Sequence, residues 1–492
     1  MKKLKAFLFA LLLISFYFIS CDNKTLQEGN DLSKKHCQSC HQYPGAELLD
    51  KKTWANYVLP KMSRLLGFRY FESGSYLDEG KKQQVMSLAD WNKLVNYYIT
   101  KAPDSLEKAV RKEIQTGLKN FEVTSPSFSV KDPATTYVGF ASGQQLLFAD
   151  GLLERLYSYT GTGLKDSFKV ARGVVNIKNQ DSTMIILAMG VLHPSDEKAG
   201  SLQVYNLYTK KSFTLLDSLQ RPVYAEYGNL NEDTLSDIII CEFGNLTGQL
   251  SWFENVGNRK YRKHILRPLP GAVRTQIVDA NRDGKPDIMA LMAQGDEGIF
   301  IYYNKGNGEF EEKRVLQFPP SYGSNYFELN DFNGDGHPDL LVTNGDNGDY
   351  PPIIKPYHGI RIYLNDRKFN FKEHLFLPMN GVGKAMARDF DGDGDLDITS
   401  ISYFPDYDRN PQESFVYWEN KGDLSFLPFS FKEAFTGRWL TMEAGDVDED
   451  GDMDIVLGNA KFPLGNVPAW IMNKWNIYSP SILILKNSKV HK

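Results

Sequence analysis

Asp331-Phe332-Asn333-Gly334-Asp335-Gly336-His337-Pro338-Asp339 places oxygen-bearing side chains at alternate positions and then turns at Gly336. It lies between the apolar runs Tyr326-Phe327 and Leu340-Leu341-Val342, so it reads as a loop joining two strands. The same figure, D-x-[DN]-x-[DN]-G-x-x-D, returns as Asp279/Asn281/Asp283/Gly284/Asp287, Asp389/Asp391/Asp393/Gly394/Asp397 and Asp446/Asp448/Asp450/Gly451/Asp454. A recurrence every fifty to sixty residues, roughly, is the signature of a repeat architecture.

One such loop would be explained by the turn propensity of Asp, Asn and Gly. Four matched copies suggest more, because alternate carboxylates converge when the loop curls and Gly at the sixth position allows the required backbone. A hard, oxygen-seeking cation fits the point of convergence. A fifth copy, Asn229/Asn231/Asp233/Thr234/Asp237, lacks the first carboxylate and the Gly and is expected to bind weakly or not at all. An EF-hand is excluded by the strand-like residues that follow each copy, such as Ile288-Met289-Ala290-Leu291. These loops resemble the FG-GAP/VCBS repeats of integrin-α-like β-propellers. The resemblance implies calcium held between two strands of a blade by Asp279, Asn281, Asp283, Asp287, Asp331, Asn333, Asp335, Asp339, Asp389, Asp391, Asp393, Asp397, Asp446, Asp448, Asp450 and Asp454.

At 492 residues the chain has room for two or three domains, and a net charge of −5 with mixed signs excludes a basic nucleic-acid surface. Residues 1–20 read as an export signal: Lys2, Lys3 and Lys5 precede an apolar run from Ala6 to Phe18, and no second apolar run is long enough to span a membrane. Ser20-Cys21 resembles a bacterial lipoprotein box, which implies a lipid on Cys21, a membrane anchor, and a cell-envelope location, periplasmic or at the outer-membrane surface. The alternative is an ordinary secretory signal with an incidental cysteine. Of the four cysteines, Cys241 falls in the strand-like run Ile238-Ile239-Ile240-Cys241 and is expected to be a buried small hydrophobe.

Cys37-Gln38-Ser39-Cys40-His41 is a C-x-x-C-H motif. Two thiols one helical turn apart can form thioethers to haem vinyl groups while the adjacent His meets the iron, which predicts haem c on Cys37, Cys40 and His41. A zinc site would want two more ligands close by, and a redox dithiol has no βαβ setting here. For the sixth iron ligand Met62 is preferred. It stands beside Pro60, which is expected to end a helix over 54–59, and Val58-Leu59-Pro60-Lys61-Met62 resembles a signature of cytochrome-like modules fused to repeat propellers in bacterial lipoproteins. Met86 is the alternative, before the capping-box-like Ser87-Leu88-Ala89-Asp90 that opens an amphipathic helix.

The reading is therefore a multidomain chain: a lipoprotein signal peptide (1–20), a tether (21–30), a small all-α cytochrome c-like haem domain with linker (31–125), and an all-β, seven-bladed FG-GAP/VCBS-repeat propeller (130–490). The later blades share a strand ending in Asn, at Asn255, Asn304, Asn365, Asn420 and Asn487, expected on the outer strand. Three inserts, beginning near Thr343, Tyr403 and Asn459, fall in the same inter-strand position on the face away from the acidic loops. Their Trp470, Trp475, Tyr350 and Tyr403 are expected to bind a partner, with a structural cover as the alternative. The functional expectation is a membrane-anchored electron-transfer lipoprotein that meets a redox partner protein, with a glycan or envelope protein as a further ligand. A quinoprotein-like propeller oxidoreductase and an adhesive or glycan-binding propeller are the alternatives. No Ser/His/Asp or paired-carboxylate constellation decides whether the chain is an enzyme.

Overall fold

The computed structural model describes residues 23–71, 73–78, 85–141, 145–160, 163–348, 353–462, 464–465 and 467–488. The expected signal, Cys21 and Tyr350 lie outside the described residues. The chain divides into two units, residues 1–108 with 319–321, and residues 109–318 with 322–492.

In the first unit a helix over residues 23–37 crosses the helix Leu88–Lys101 at Gly29, where a Cβ would lie 2.4 Å from the Lys93 carbonyl oxygen. Only glycine allows that approach. Ser87 caps the second helix by accepting the Asp90 N–H at 3.1 Å, and the helix buries Trp91, Leu94 and Tyr98 along one stripe. Tyr98 packs 4.3 Å from Trp54 and donates to the Pro44 carbonyl at 2.8 Å.

Two expectations for this unit are corrected. Pro60 does not end the preceding helix: Lys51–Thr53 continues through a π-turn, Trp54–Val58, into Leu59–Leu65. The Leu59 N–H reaches back to the Trp54 carbonyl, and the wider turn makes room for a ring that would clash in a regular α-helix. Nor is the unit all-α, because Phe68–Tyr70 pairs antiparallel with Tyr76–Asp78. Gly74 at φ +85 turns this hairpin, and Tyr70 meets Tyr76 across it at 5.2 Å.

The second unit is a β-propeller of seven sheets. Blades 1 to 5 run in chain order through residues 135–169, 174–219, 222–267, 272–317 and 324–378, each a four-stranded antiparallel meander. Blade 6, residues 382–430, gains a fifth strand, Gln115–Thr116, parallel to Phe426–Ser430. Blade 7 has three strands of its own from 439–487 and takes its fourth from Phe121–Thr124, which pairs with Ile482–Asn487. The segment expected as linker thus closes the ring, joining the two ends of the propeller by backbone hydrogen bonds and removing an open sheet edge.

The first strands of successive blades pack on one another all the way round, the last returning to the first, so they line the centre. The second strands of blades 3 to 7 are buried at every residue. Both faces of each such strand meet a neighbouring sheet, which is why those of blades 3, 4, 5 and 7 read as apolar runs, while the strand of blade 6 buries Thr399, Ser400 and Ser402 among its isoleucines. Cys241 is fully buried among them, as expected.

Candidate functional site

Each acidic loop joins the first strand of a blade to the second. In blade 4 the Asp279 carboxylate accepts the N–H groups of Asp283 and Gly284 at 3.1 and 3.0 Å, and Asn281 Oδ1 accepts the Asp283 N–H at 3.0 Å. Asp331 does the same with Asp335 and Gly336 at 3.0 and 2.7 Å, and Asp446 with Asp450 and Gly451 at 3.1 and 3.0 Å. In blade 6 Asp389 accepts the Gly394 N–H at 3.2 Å. Backbone donors thus fix the first-position carboxylate over each of these loops. One oxygen from each of Asp389, Asp391 and Asp393 lies within 4.8 Å of the others, and the same is true of Asp446, Asp448 and Asp454. Such oxygen sets suit a hard divalent cation.

The ninth-position aspartates behave differently. Asp287, Asp339, Asp397 and Asp454 are fully buried. Asp287, Asp339 and Asp454 each accept the N–H of the loop's second residue and the N–H of the third-strand Asn, from Ala280 and Asn304, Phe332 and Asn365, and Val447 and Asn487, while Asp397 accepts the Asn420 N–H and the Tyr417 hydroxyl. Burial pushes Asp397 and Asp454 up to about 6. The recurrent Asn therefore belongs to the third strand, not the outer one. The sequence displayed the repeating Asn but could not show that it pairs with the ninth Asp.

The degenerate copy in blade 3 keeps this arrangement, with Asp237 accepting from Leu230 at 2.9 Å and Asn255 at 2.8 Å. Thr234 adopts φ +75 where the other loops have glycine, so the loop shape survives at the cost of a left-handed β-branched residue.

In the first unit Cys37 is the last residue of the helix over 23–37. The Cys40 N–H returns to the Cys37 carbonyl at 3.5 Å, placing the thiols one turn apart, and neither is in a disulfide. Burial pushes the Cys37 thiol up to about 11. His41 Nδ1 lies 2.8 Å from the Gln42 carbonyl oxygen, to which it can only donate, so of the two ring nitrogens Nε2 is the one open to a metal. Gln42 Oε1 and Trp91 Nε1 are buried polar atoms of this unit with no hydrogen-bond partner among the described residues. Two thiols one turn apart and an oriented imidazole beside them are the donor set that a haem c would need. Met62 is half-buried on the helix Leu59–Leu65, and Met86 is buried just before Ser87.

The three inserts join second to third strands, on the face opposite the acidic loops. Two of the four expected partner-binding aromatics turn out to be internal. Trp475 donates from Nε1 to the Phe435 carbonyl at 2.8 Å and is clustered with Tyr407, Phe435 and Ile471. Tyr403 donates to the Ala460 carbonyl at 3.1 Å and stacks under the Arg438 guanidinium at 3.8 Å. Both anchor the inserts of blades 6 and 7 to one another. Trp470, on the helix Ala469–Ile477, is 41% exposed, near Met472 and Ile477, which are also exposed.

The FG-GAP-like repeat family model matches residues 279–342, 331–400 and 389–457. Among curated proteins, a T-cell immunomodulatory protein homolog from Plasmodium falciparum (isolate 3D7) is 23% identical over 244 residues, covering 37% of this chain and 32% of that protein. The chain thus spans about a third of that relative's length. Among solved structures, a virginiamycin B lyase from Staphylococcus aureus aligns with a TM-score of 0.46 at 10% identity, over 74% of this chain and 98% of that one. The N-terminal domain of Nup159 aligns with a TM-score of 0.41 at 12% identity, over 77% and 99%. The chain carries FG-GAP-like repeats, in blades 4 to 7 of a seven-bladed β-propeller.

Proposed function

We propose that the protein is an exported, lipid-anchored electron-transfer lipoprotein in which a c-type haem module is joined to a calcium-stabilised, partner-binding propeller. The observation that carries this reading is the C-x-x-C-H segment, with its thiols one turn apart at a helix end and His41 Nδ1 tied to the Gln42 carbonyl. When bound, the haem iron supplies a one-electron redox couple. Cys37 and Cys40 would hold the group through thioethers, and His41 Nε2 with Met62, or Met86 in its place, would ligate the iron. Covalent attachment is tested by extracting the purified protein with acidified acetone, which leaves a thioether-linked haem on the polypeptide.

Calcium belongs to this reading through the loops at Asp279, Asp331, Asp389 and Asp446. A bound cation offsets the repulsion among their carboxylates and the burial that raises Asp397 and Asp454. The anchor is Cys21, after residues 1–20 as export signal, and the location is the cell envelope. No helix among the described residues is long and apolar enough to cross a membrane. The redox partner, or an envelope protein or glycan, docks on the insert face, where Trp470 remains available and Trp475 and Tyr403 support it from below.

A further inference from the structure

The charged residues on the seven first strands face one another around the centre of the propeller. They are Lys178, Glu226, Arg274, Glu328, Lys384, Arg388 and Glu443, so four cations meet three carboxylates. Lys384 Nζ bonds Glu443 at 3.2 Å and the Met442 carbonyl at 2.7 Å, and Arg388 lies 3.5 Å from Glu328. Glu226 accepts from the Tyr224 hydroxyl at 3.1 Å. Arg274 has no such partner: no described residue accepts a hydrogen bond from its guanidinium, and its Nε is buried without one. Instead the guanidinium lies between two tyrosine rings from the neighbouring blades, 4.8 Å from the centroid of Tyr224 and 4.4 Å from that of Tyr326.

This sandwich has a directional consequence. The tyrosine hydroxyls are pinned to Glu226 and Glu328, on their own strands. Both rings lie within cation–π reach of the guanidinium, whose N–H groups remain to be satisfied. A planar fork of donors matches a carboxylate bidentately. The charges select further. One cation in excess suits a monoanion, while Glu226, Glu328 and Glu443, two positions farther along their strands beside Lys178 and short of Arg388, oppose a dianion; Arg274, third of seven residues on its strand, lies nearer the insert face. Arg274 precedes Asp279 by five residues, roughly 15 Å of extended strand, so this site is separate from the cation loops.

We propose that the central channel binds a small organic monocarboxylate, entering from the insert face, with its carboxylate on the Arg274 fork and its body against the rings of Tyr224 and Tyr326. The proposal deepens the partner-binding reading of the propeller but is independent of the haem.

The test is titration calorimetry of the full-length, calcium-loaded protein with sodium benzoate, and separately with inorganic phosphate. Benzoate is expected to bind, and Arg274→Lys to weaken it by at least about tenfold, since an ammonium keeps the charge but not the fork. Arg274→Gln, which removes the charge, should abolish binding. Melting temperature is recorded for both variants so that the comparison is made on folded protein, and Tyr208→Ala, at an exposed turn between the third and fourth strands of blade 2, provides a folded control that should bind benzoate as wild type does. Absence of benzoate binding by the wild type, equal affinity in Arg274→Lys, or tighter binding of phosphate than of benzoate would overturn the proposal. A Cys37→Ala/Cys40→Ala chain that binds benzoate unchanged while lacking haem shows that the two readings stand or fall separately.

Discussion

The Asp237 carboxylate accepts the backbone N–H of Asn255 at 2.8 Å in a loop that has lost its first acidic ligand and its glycine. The same Asp-to-Asn bond closes blades 4 to 7, at Asn304, Asn365, Asn420 and Asn487. Its survival in the degenerate copy shows that the last position ties the loop to the third strand even where the early oxygen ligands are lost, although in blade 7 Asp454 also stands with Asp446 and Asp448 in one oxygen cluster.

Asp237→Ala should therefore destabilise the protein equally with and without calcium. It orphans the buried Leu230 N–H, at about 1–3 kcal/mol, and the half-buried Asn255 N–H, at less. Urea denaturation in the presence of calcium and of a chelator measures this, and a loss that appeared only with calcium would assign Asp237 to metal binding instead.

Asp389→Asn with Asp391→Asn should act in the opposite sense, reducing the stabilisation that calcium gives while changing the chelated protein little. Four occupied loops each add about 2.7 kcal/mol at a hundredfold excess of free ion over Kd. Chelation of the wild type should lower the melting temperature, and an unchanged melting curve would make the loops turns alone.

What could be read in the sequence was whatever is local in the chain. The acidic loops, the blade count and the placement of the inserts follow from spacing along the chain, and each is found in the structure. What could not be read depends on partners far apart. Phe121–Thr124 looked like linker because its pairing strand lies at Ile482–Asn487, and no local pattern marks a strand whose partner is over three hundred residues away. Trp470 and Trp475 looked equivalent. They differ because one turn of Ala469–Ile477 places Ile471 and Trp475 on the inner stripe and Trp470 outside it. The Arg274 sandwich was missed for the same reason, being assembled from three blades.

The two tryptophans should accordingly part company on mutation. Trp475→Ala should cost about 3–5 kcal/mol, as for a large buried aromatic that also loses a hydrogen bond. Trp470→Ala should change stability by less than about 0.5 kcal/mol yet reduce capture of the redox partner. Denaturation curves and a membrane pull-down distinguish the two, and equal loss of stability would place Trp470 in the core.

Glu297 supplies a pH signature. Its buried carboxyl accepts the Ser324 N–H and hydroxyl at 2.8 and 2.6 Å, but burial outweighs these bonds and pushes it up to about 8. The folded state thus holds a proton that the unfolded chain releases near its ordinary value of 4.5. The associated stability is full below that value and is lost as pH rises to about 8, with a slope near 1.4 kcal/mol per pH unit. Glu297→Gln should flatten this part of the stability profile; a profile identical to wild type would show that Glu297 is already ionised.

The account rests most heavily on Cys37, Cys40 and His41, and one measurement bears on them directly. The full-length protein, exported in a host that matures c-type cytochromes, is extracted with acidified acetone and its polypeptide assayed for haem by the pyridine haemochrome spectrum. The account predicts haem retained on the wild-type chain with the spectrum of two thioether links, and none on Cys37→Ala/Cys40→Ala. A wild-type chain that yields its haem to the solvent, or carries none when exported, would contradict it.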